Sequence, residues 1–483
     1  MSEQGGGKRL AGRIEVRSID WVPEGDRHGR VSDQSKFWFL GNFQFLTIAM
    51  GFIGPGMGLS LGWTALAGAL GVFIGTFFMA FHANQGAELG LPQMIQSRAQ
   101  FGYRGVILPL VATLVTYVGF NVLDTILIAD GGATLLGWDP LALSAGVAVL
   151  AAVLAIWGHD WLHLVFKILF WISLPLFSLL SLAIVAGAAG GAPAADLGFN
   201  WVGFCTELAA GASYNITYAT YVSDYSRYLP PNISRRRVIL SVFFGASLSA
   251  VWLIALGAWL ATRFGATDAL VALDQAGNAV FPGFGGILAL CSVTVLTAVM
   301  GMNAYSGMLT VVTAVDSVRK VRPTRTLRIV TIAFVALLWL VVAHSLGGEE
   351  VEAVNSVFVI MLYMLAPWTA INLLDYYLVR RGDYAVTHLF RPDGIYGTWR
   401  RQGITAYLVG FCASLPFIVL PGMLVGPVAE MLGGIDVGWL VGLGLTGAVY
   451  LFLVRNHDRA AEFPAIRQSR LDLQALEQSG VSR

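Results

Sequence analysis

The sequence predicts an all-α polytopic membrane protein with twelve transmembrane helices, and composition and hydropathy both support this fold class. The 483 residues are 56% hydrophobic and 12% charged, whereas soluble globular domains carry about 25% charged residues. Apolar runs of membrane-spanning length occur at about 39–60, 63–84, 105–136, 141–158, 162–189, 200–221, 237–264, 279–314, 326–345, 351–379, 403–426 and 434–455. We number these runs spans 1 to 12.

The basic residues support this count and predict the orientation of the chain. Of the 30 Lys and Arg residues, 28 fall in the two tails, in alternate connecting loops or at the span ends next to them. Lys167 lies near the start of span 5 on the same side, and only Arg263 lies on the other. Cytoplasmic loops are enriched in Lys and Arg. The tails 1–36 and 456–483 are therefore predicted to be cytoplasmic, in a multi-pass protein of the plasma membrane.

Charge and motif content exclude several classes of protein. A net charge of +1 provides no overall attraction to nucleic acid. The cysteines lie far apart in apolar runs and predict neither a metal site nor a disulfide; they are Cys205, Cys291 and Cys412. No catalytic or ATP-binding motif is present, so neither an enzyme nor a primary pump is predicted. The oligomeric state is left open.

Spans 1 and 6 contain residues that disfavour a continuous helix. In span 1 these residues are Gly51, Gly54, Pro55, Gly56 and Gly58. Because proline lacks a backbone donor and glycine has low helix propensity, a break is predicted near Gly54–Gly58. A softer break is predicted in span 6 near Gly211–Ser213. The alternative for span 6 is a helix rich in small residues that packs closely against its neighbours.

The position of these two interruptions predicts an internal repeat. Five spans separate the starts of spans 1 and 6, and this odd number inverts the second copy relative to the first. Residues 37–189 would form one repeat and residues 190–380 the other, followed by a cytoplasmic loop and spans 11 and 12 in residues 381–455. Paired interruptions in corresponding positions indicate a substrate site at the midplane of a secondary transporter.

Span 3 carries a stripe of polar and aromatic residues on one helix face. Tyr117, Asn121 and Asp124 are spaced at i, i+4 and i+7, and Phe120 is a second aromatic candidate. The alternative for the aromatic residues is packing against lipid or the core. An acid within a membrane helix indicates a functional site, so Asp124 and Glu207 of span 6 are candidate proton-coupling groups. Asp124 could instead pair with a neighbouring hydroxyl or amide.

Five segments, in order along the chain, resemble the nucleobase:cation symporter-1 family of purine, cytosine, allantoin and hydantoin transporters. They are IEVRSIDWVPEGDRHG, GLPQMIQSRAQFGYRG, DYSRYLP, MNAYSG and PWTAINLLDYYLVRRGDY. The chain is most similar to the purine–cytosine permease branch. The resemblance implies a five-plus-five inverted repeat of the LeuT type, with broken helices 1 and 6. It also implies import of a small heterocycle coupled to H⁺ or Na⁺, with no cofactor.

The resemblance also implies a set of substrate-binding residues. It assigns stacking to an aromatic of span 3, with an amide one turn away, and it assigns hydrogen bonding to span 6 and to the asparagine of MNAYSG. That asparagine, Asn303, could otherwise serve only to join helices. With two residues from the span 1 interruption, the predicted set is Tyr117, Phe120, Asn121, Ser213, Tyr214, Asn215, Thr217, Asn303, Phe52 and Gly54.

The sequence leaves the coupling ion open between H⁺ and Na⁺. Sodium-coupled relatives place hydroxyl residues four to six positions before the span 8 asparagine, but here Thr297 is followed by Ala298 and Val299. A Na⁺ site would need oxygen ligands from Gly51, Gly54, Thr294 and Thr297. The missing hydroxyls favour H⁺. The sequence thus predicts a nucleobase importer, with a symporter of the same fold for allantoin, a hydantoin or a vitamin precursor as the alternative.

Overall fold

The computed structural model describes residues 14–15, 17–192, 197–265, 268–346, 351–420 and 423–479. Residues 1–13 of the predicted N-terminal tail and residues 480–483 of the predicted C-terminal tail lie outside the described residues. The described chain is built almost entirely of helices, with one short antiparallel pair of strands, β1 (Val419–Leu420) and β2 (Leu424–Val425).

The helices follow the predicted apolar runs in order along the chain. They are α1 (Val31–Asn42), α2 (Phe45–Met50), α3 (Ile53–Gly56), α4 (Leu61–Leu89), α5 (Gln93–Gln96), α6 (Arg98–Phe101), α7 (Ile107–Leu136), α8 (Pro140–Trp157), α9 (His159–Val185), α10 (Trp201–Tyr218), α11 (Val222–Ser226), α12 (Arg235–Phe264), α13 (Ala269–Val280), α14 (Phe284–Val318), α15 (Arg325–Leu346), α16 (Val351–Leu374), α17 (Arg401–Ser414), α18 (Pro427–Met431), α19 (Gly438–Leu453) and α20 (Phe463–Gln478). A π-helical turn, Asp375–Val379, extends α16.

Within the described residues, eight helical stretches are long and apolar enough to cross a membrane. They belong to α4, α7, α8, α9, α12, α14, α15 and α16 with its π-helical turn. The bent pair α1 and α2–α3, with 56° between its two halves, can form a ninth. Span 11 is shorter than predicted, since α17 ends at Ser414 before Pro416 and the β1–β2 pair. The count of twelve therefore stays a prediction.

The helix interruptions differ in position from those predicted. In span 1 the chain first bends between α1 and α2, at Phe43–Gln44, the helix is interrupted again at Gly51–Phe52, and α3 ends at Gly56. Pro55 lies in the first turn of α3, where a missing N–H costs little. In the second repeat, α10 runs without a break through Gly211–Ser213 and ends only at Tyr218. The predicted break in span 6 was therefore wrong, whereas the end of α3 at Gly56 falls inside the region predicted for span 1.

The reason that α10 stays helical at Gly211 is close packing. A Cβ atom on Gly211 would lie 2.9 Å from the Gly68 carbonyl oxygen of α4. Conversely, a Cβ atom on Gly71 would lie 2.1 Å from the Leu208 carbonyl oxygen of α10, and one on Gly75 would lie 2.4 Å from that of Ala212. These glycines let two membrane helices approach along their backbones.

The same use of glycine joins α12 to the α2 segment. A Cβ atom on Gly51 would lie 2.2 Å from the Ile254 carbonyl oxygen, and one on Gly257 would lie 2.0 Å from the Ile48 carbonyl oxygen. With α4 packed against both α10 and α12, the segments of spans 1, 2, 6 and 7 form one four-helix bundle. A second group, α7, α8, α14, α15 and α16, packs beside it.

Gly71→Ala is expected to destabilise this bundle, because the added methyl group would overlap the Leu208 carbonyl. Overpacking of this kind costs about 1–3 kcal/mol, and the melting temperature in detergent should fall clearly. Gly146→Ala is the matched control, since Gly146 lies inside α8 with no atom within 4 Å of the added methyl group. Equal melting temperatures for the two variants would show that the α4–α10 contact is not tightly packed.

Candidate functional site

The interruptions after α1 and after α10 are joined by side chains that hydrogen-bond to each other and to free backbone carbonyls. Gln44 donates to the hydroxyls of Tyr214 at 2.6 Å and Tyr218 at 3.1 Å. The Tyr218 hydroxyl in turn donates to the Gly41 carbonyl at 3.1 Å. Thr47 donates to the Asn42 carbonyl at 2.8 Å and lies 2.9 Å from the Tyr214 hydroxyl. Backbone groups freed at the bend are thereby paired, as apolar surroundings require.

Aromatic rings from α7 face these interruptions. Phe120 is stacked on Tyr218, with centroids 5.6 Å apart and 22° between the ring planes, and it contacts Phe358 of α16 edge to face. Tyr117 packs against Tyr221 with centroids 4.3 Å apart, and its hydroxyl donates to the Thr220 carbonyl at 3.0 Å. The site is therefore lined by flat, apolar ring faces.

Two amides lie beside the rings and join α7 to α14. The Asn303 side chain donates to Asn121 Oδ1 at 2.7 Å, and Asn121 donates to the Met300 carbonyl at 3.2 Å. Both asparagines are buried. This geometry orients the two amides relative to each other and leaves the carbonyl oxygen of Asn303 free to accept a further hydrogen bond.

Several buried polar atoms of this region have no partner among the residues that the structure describes. They are Gln44 Oε1, Asn303 Oδ1, the Tyr221 hydroxyl and both carboxylate oxygens of Asp124. Because an unsatisfied buried polar atom costs about 1–3 kcal/mol, a concentration of them indicates a place that receives a polar ligand. We call this group the central site: Gln44, Tyr117, Phe120, Asn121, Asp124, Tyr214, Tyr218, Tyr221 and Asn303.

Comparison with known proteins identifies the family. Residues 21–442 match the model of the permeases for cytosine/purines, uracil, thiamine and allantoin. The chain belongs to this permease family. It is 35% identical to the Bacillus subtilis protein YxlA, whose name places it among purine-cytosine permeases, over 92% of this chain and 96% of that protein. It is 25% identical to the purine-cytosine permease fcyB of Emericella nidulans, over 92% and 90% of the two chains.

Solved structures confirm the fold class of the permease. Mhp1, a nucleobase-cation-symport-1 family transporter in a closed conformation with bromovinylhydantoin bound, aligns with a TM-score of 0.71 at 17% identity, over 96% of this chain and 99% of that chain. A Na⁺-coupled sialic acid symporter aligns with a TM-score of 0.63 at 12% identity, over 90% and 92% of the chains. The permease is an all-α transporter of the LeuT type and not an enzyme.

Of the residues that the sequence suggested for substrate binding, five lie together in the central site: Tyr117, Phe120, Asn121, Tyr214 and Asn303. Ser213 lies at its edge and donates to the Phe358 carbonyl at 3.3 Å. Asn215 faces away and donates to Thr76 of α4 at 2.9 Å. Thr217 donates to the Tyr214 carbonyl of its own helix at 2.7 Å. The Thr217 contact stabilises its own helix, whereas Asn215 Oδ1 has no partner among the described residues.

The remaining candidates of span 1 lie outside the central site. Gly54 donates its backbone N–H to Glu207 Oε2 at 3.0 Å, so the α10 acid holds the α3 segment. Phe52 is half-buried and packs against the apolar core. Glu207 Oε1 has no partner among the described residues. Glu207 is thus placed between α3, α4 and α10, apart from Asp124 on α7.

The four residues suggested for Na⁺ are not arranged as one ligand set. The Thr294 side chain is exposed and donates to the Leu290 carbonyl, and Thr297 donates to the Val293 carbonyl. Gly51 packs against α12 and Gly54 is paired with Glu207. The two hydroxyls thus donate within their own helix.

Sequence reasoning missed four residues of the site and its supports: Gln44, Thr47, Tyr218 and Tyr221. A signal for the tyrosines was available, because Tyr214, Tyr218 and Tyr221 are spaced at i, i+4 and i+7, like the stripe in span 3. No comparable signal marks Gln44, since its position beside the site depends on where α1 ends.

A second polar group lies where the N-terminal segment crosses the end of the bundle. Glu15 accepts hydrogen bonds from Tyr228 and, at 3.0 Å, from Tyr305, and it forms ion pairs with Arg328 at 3.1 Å and Arg227 at 3.6 Å. Burial alone would raise the pKa of Glu15, but the guanidinium groups of Arg328 and Arg227 outweigh burial and hold that pKa below its usual value. We call these five residues the Glu15 cluster.

Asn303→Ala is expected to lower the affinity of the permease for its ligand at least about tenfold, which corresponds to roughly 1.4 kcal/mol. The change removes one hydrogen-bonding group and leaves Asn121 Oδ1 unpaired. Binding to the purified protein would be measured by equilibrium dialysis against adenine, guanine, hypoxanthine and cytosine, with exposed Asn456→Ala as the control. Unchanged affinity would remove α14 from the site.

Proposed function

We propose that this permease is a secondary active importer of a nucleobase, a purine or cytosine, and that the central site binds the base. The observation that carries the proposal is the combination of flat ring faces with unpartnered buried hydrogen-bonding atoms. A nucleobase presents a planar π-face and an edge of alternating donors and acceptors. The central site offers a complement to both.

The energies of these contacts suit a transporter. Stacking of a base on an aromatic ring is worth about 1–3 kcal/mol, and each satisfied edge hydrogen bond is worth about 0.5–1.5 kcal/mol. Two or three contacts of each kind give an affinity that is useful for capture and still permits release. The amides of Gln44 and Asn303 can take either orientation, so they suit bases with different edge patterns.

The comparisons narrow the substrate class and keep one alternative. The names of the relatives concern purines and cytosine, and the family model also covers uracil, thiamine and allantoin. A hydantoin is bound in the structural neighbour. The alternative is therefore a symporter of the same fold for allantoin, a hydantoin or a vitamin precursor, which would use the same ring faces and amides.

We favour H⁺ as the coupling ion over Na⁺. Asp124 and Glu207 are buried acids without a cationic partner among the described residues. A carboxylate buried in this way binds a proton far more readily than an exposed one does. The exposed, helix-bonded Thr294 argues against a Na⁺ site at α14. Asp124 lies one helical turn from Phe120 and Asn121 on α7, which would couple its proton to the substrate site.

We propose that transport proceeds by alternating access, in which the four-helix bundle of spans 1, 2, 6 and 7 moves against the rest of the protein. Both termini would face the cytoplasm, as the distribution of Lys and Arg suggests, and the membrane would be the plasma membrane. The Glu15 cluster then lies on the cytoplasmic side and ties the end of α11 to α14 and α15. Its separation would open the path from the central site to the cytoplasm.

Uptake into proteoliposomes tests this function. Radiolabelled adenine, guanine, hypoxanthine, cytosine, uracil and allantoin would be supplied with an imposed H⁺ gradient or an imposed Na⁺ gradient. Uptake of one base driven by H⁺ alone is expected. Strict Na⁺ dependence would overturn the choice of ion, uptake of allantoin alone would favour the alternative substrate class, and no uptake of any compound would overturn the function.

Asp124→Asn is expected to reduce H⁺-driven uptake at least about tenfold, which corresponds to roughly 1.4 kcal/mol. Exchange of internal for external substrate, which needs no net proton movement, should continue. The asparagine keeps the shape of the side chain and cannot release a proton. Asp130→Asn is the matched control, because Asp130 lies on the same helix and its side chain is exposed. Loss of exchange as well as uptake would instead make Asp124 a substrate-binding residue.

A further inference from the structure

A cluster of metal-ligating side chains lies beside the Glu15 cluster and outside the central site. His28 of the N-terminal segment and His159 of α9 both face one carboxylate oxygen of Asp160. Asp160 Oδ1 is 2.8 Å from His28 Nε2 and 3.0 Å from His159 Nδ1. One ligand atom from each residue lies within 4.8 Å of the other two. Imidazole nitrogens with a carboxylate oxygen are a ligand set that suits zinc.

The second nitrogen of each imidazole is held by a backbone carbonyl. His28 Nδ1 is 2.8 Å from the Asp26 carbonyl oxygen, and His159 Nε2 is 3.1 Å from the Tyr225 carbonyl oxygen. A carbonyl can only accept, so each of these nitrogens carries the proton. When the ring is neutral, its lone pair points at Asp160. Metal-ligating histidines in proteins show this outer arrangement, which fixes the tautomer and orients the ring.

Lone pairs that converge on one point repel each other unless protons or a cation lie between them. We propose that His28, His159 and Asp160 form a binding site for a divalent metal ion of the zinc type. Ligands at about 2.0–2.1 Å from a tetrahedral zinc are about 3.3 Å apart, so the two distances from histidine nitrogen to Asp160 would open by a few tenths of an ångström. The two histidine nitrogens, within 4.8 Å of each other, would adjust around the ion. The His28 and Asp160 side chains are 51% and 44% exposed, which gives the ion a path in and leaves room for a water ligand.

Because of the position of the site, a bound metal ion would restrict movement between segments of the protein. The backbone N–H of His28 donates to the Tyr228 carbonyl, and His159 contacts the Tyr225 carbonyl. Both of these carbonyls lie in or just after α11, which follows α10 of the four-helix bundle, whereas His159 and Asp160 begin α9. A bound ion would therefore fasten the N-terminal segment and the end of α11 to α9. Divalent metal should inhibit transport by holding this end of the protein closed.

Direct binding tests the site independently of any transported substrate. The full-length protein, freed of metal with a chelator, would be titrated with Zn²⁺ by calorimetry and with Co²⁺ by visible absorption. One ion per chain is expected, with the absorption of a low-coordinate nitrogen and oxygen site. His28→Ala and Asp160→Asn should each weaken binding at least about tenfold, since even loss of an outer-shell contact to a metal ligand has such an effect. His344→Ala, which removes an exposed histidine of α15, should change nothing.

Melting temperatures distinguish a loss of metal binding from misfolding of the variants. The metal-free variants should melt like the metal-free wild type, and Zn²⁺ should raise the melting temperature of the wild type alone. Binding that is equal in wild type and both variants, or absent from the wild type, would overturn the site and leave two protonated histidines on Asp160 as the explanation of the geometry. In proteoliposomes, Zn²⁺ should inhibit uptake by the wild type but not by His28→Ala. Zinc binding without inhibition would overturn the closing role, whatever substrate is carried.

Discussion

Backbone groups that are not paired within a helix must find partners inside the protein, and this requirement organises the centre of the permease. The chain bends after α1 and again after α10, and each bend frees carbonyl groups in apolar surroundings. Tyr218 pairs with the Gly41 carbonyl and Tyr117 pairs with the Thr220 carbonyl. Tyrosine is suited to this task because it brings a hydroxyl and a flat ring together. The side chains that satisfy the bends therefore also provide the ring faces of the central site.

Close approach of α4, α10 and α12 is the second constraint, and it explains why fold class was easier to predict than helix interruptions. Composition, span length and the distribution of Lys and Arg are set by the membrane environment. A single sequence is therefore enough to predict an all-α polytopic protein. A glycine in a membrane helix has two roles, to break the helix or to let a neighbour approach. Gly211 has the second role, because it packs on the Gly68 carbonyl. That partner is distant in sequence, and the choice is therefore invisible in a local pattern.

The central site was predictable to the extent that its residues share one helix face. The stripe of Tyr117 and Asn121 depends only on helical spacing, and Asn303 was found through the MNAYSG segment. Gln44 lies in the site because α1 ends two residues before it. Asn215 was predicted to lie in the site but is hydrogen-bonded to Thr76 of α4 instead. Both outcomes depend on tertiary contacts. The segments that carried the family resemblance prove to be partly structural, since Glu15, Arg227 and Tyr305 come from three of them and meet in one cluster.

A buried ion cluster at one end of the bundle is a poor source of stability but a good switch. Its attraction is largely offset by the desolvation of its charges, while removal of a single member leaves an unpaired buried charge and costs about 3–5 kcal/mol. The Glu15 cluster therefore favours two states, fully assembled or fully separated and hydrated, and disfavours those between. Alternating access needs such an all-or-none element on each side of the substrate. The cluster joins the segment after α11 to α14 and α15 through a residue of the N-terminal segment. Under the proposed mechanism that segment would form part of the cytoplasmic gate, and a ligand that holds His28 in place would act on this gate as well.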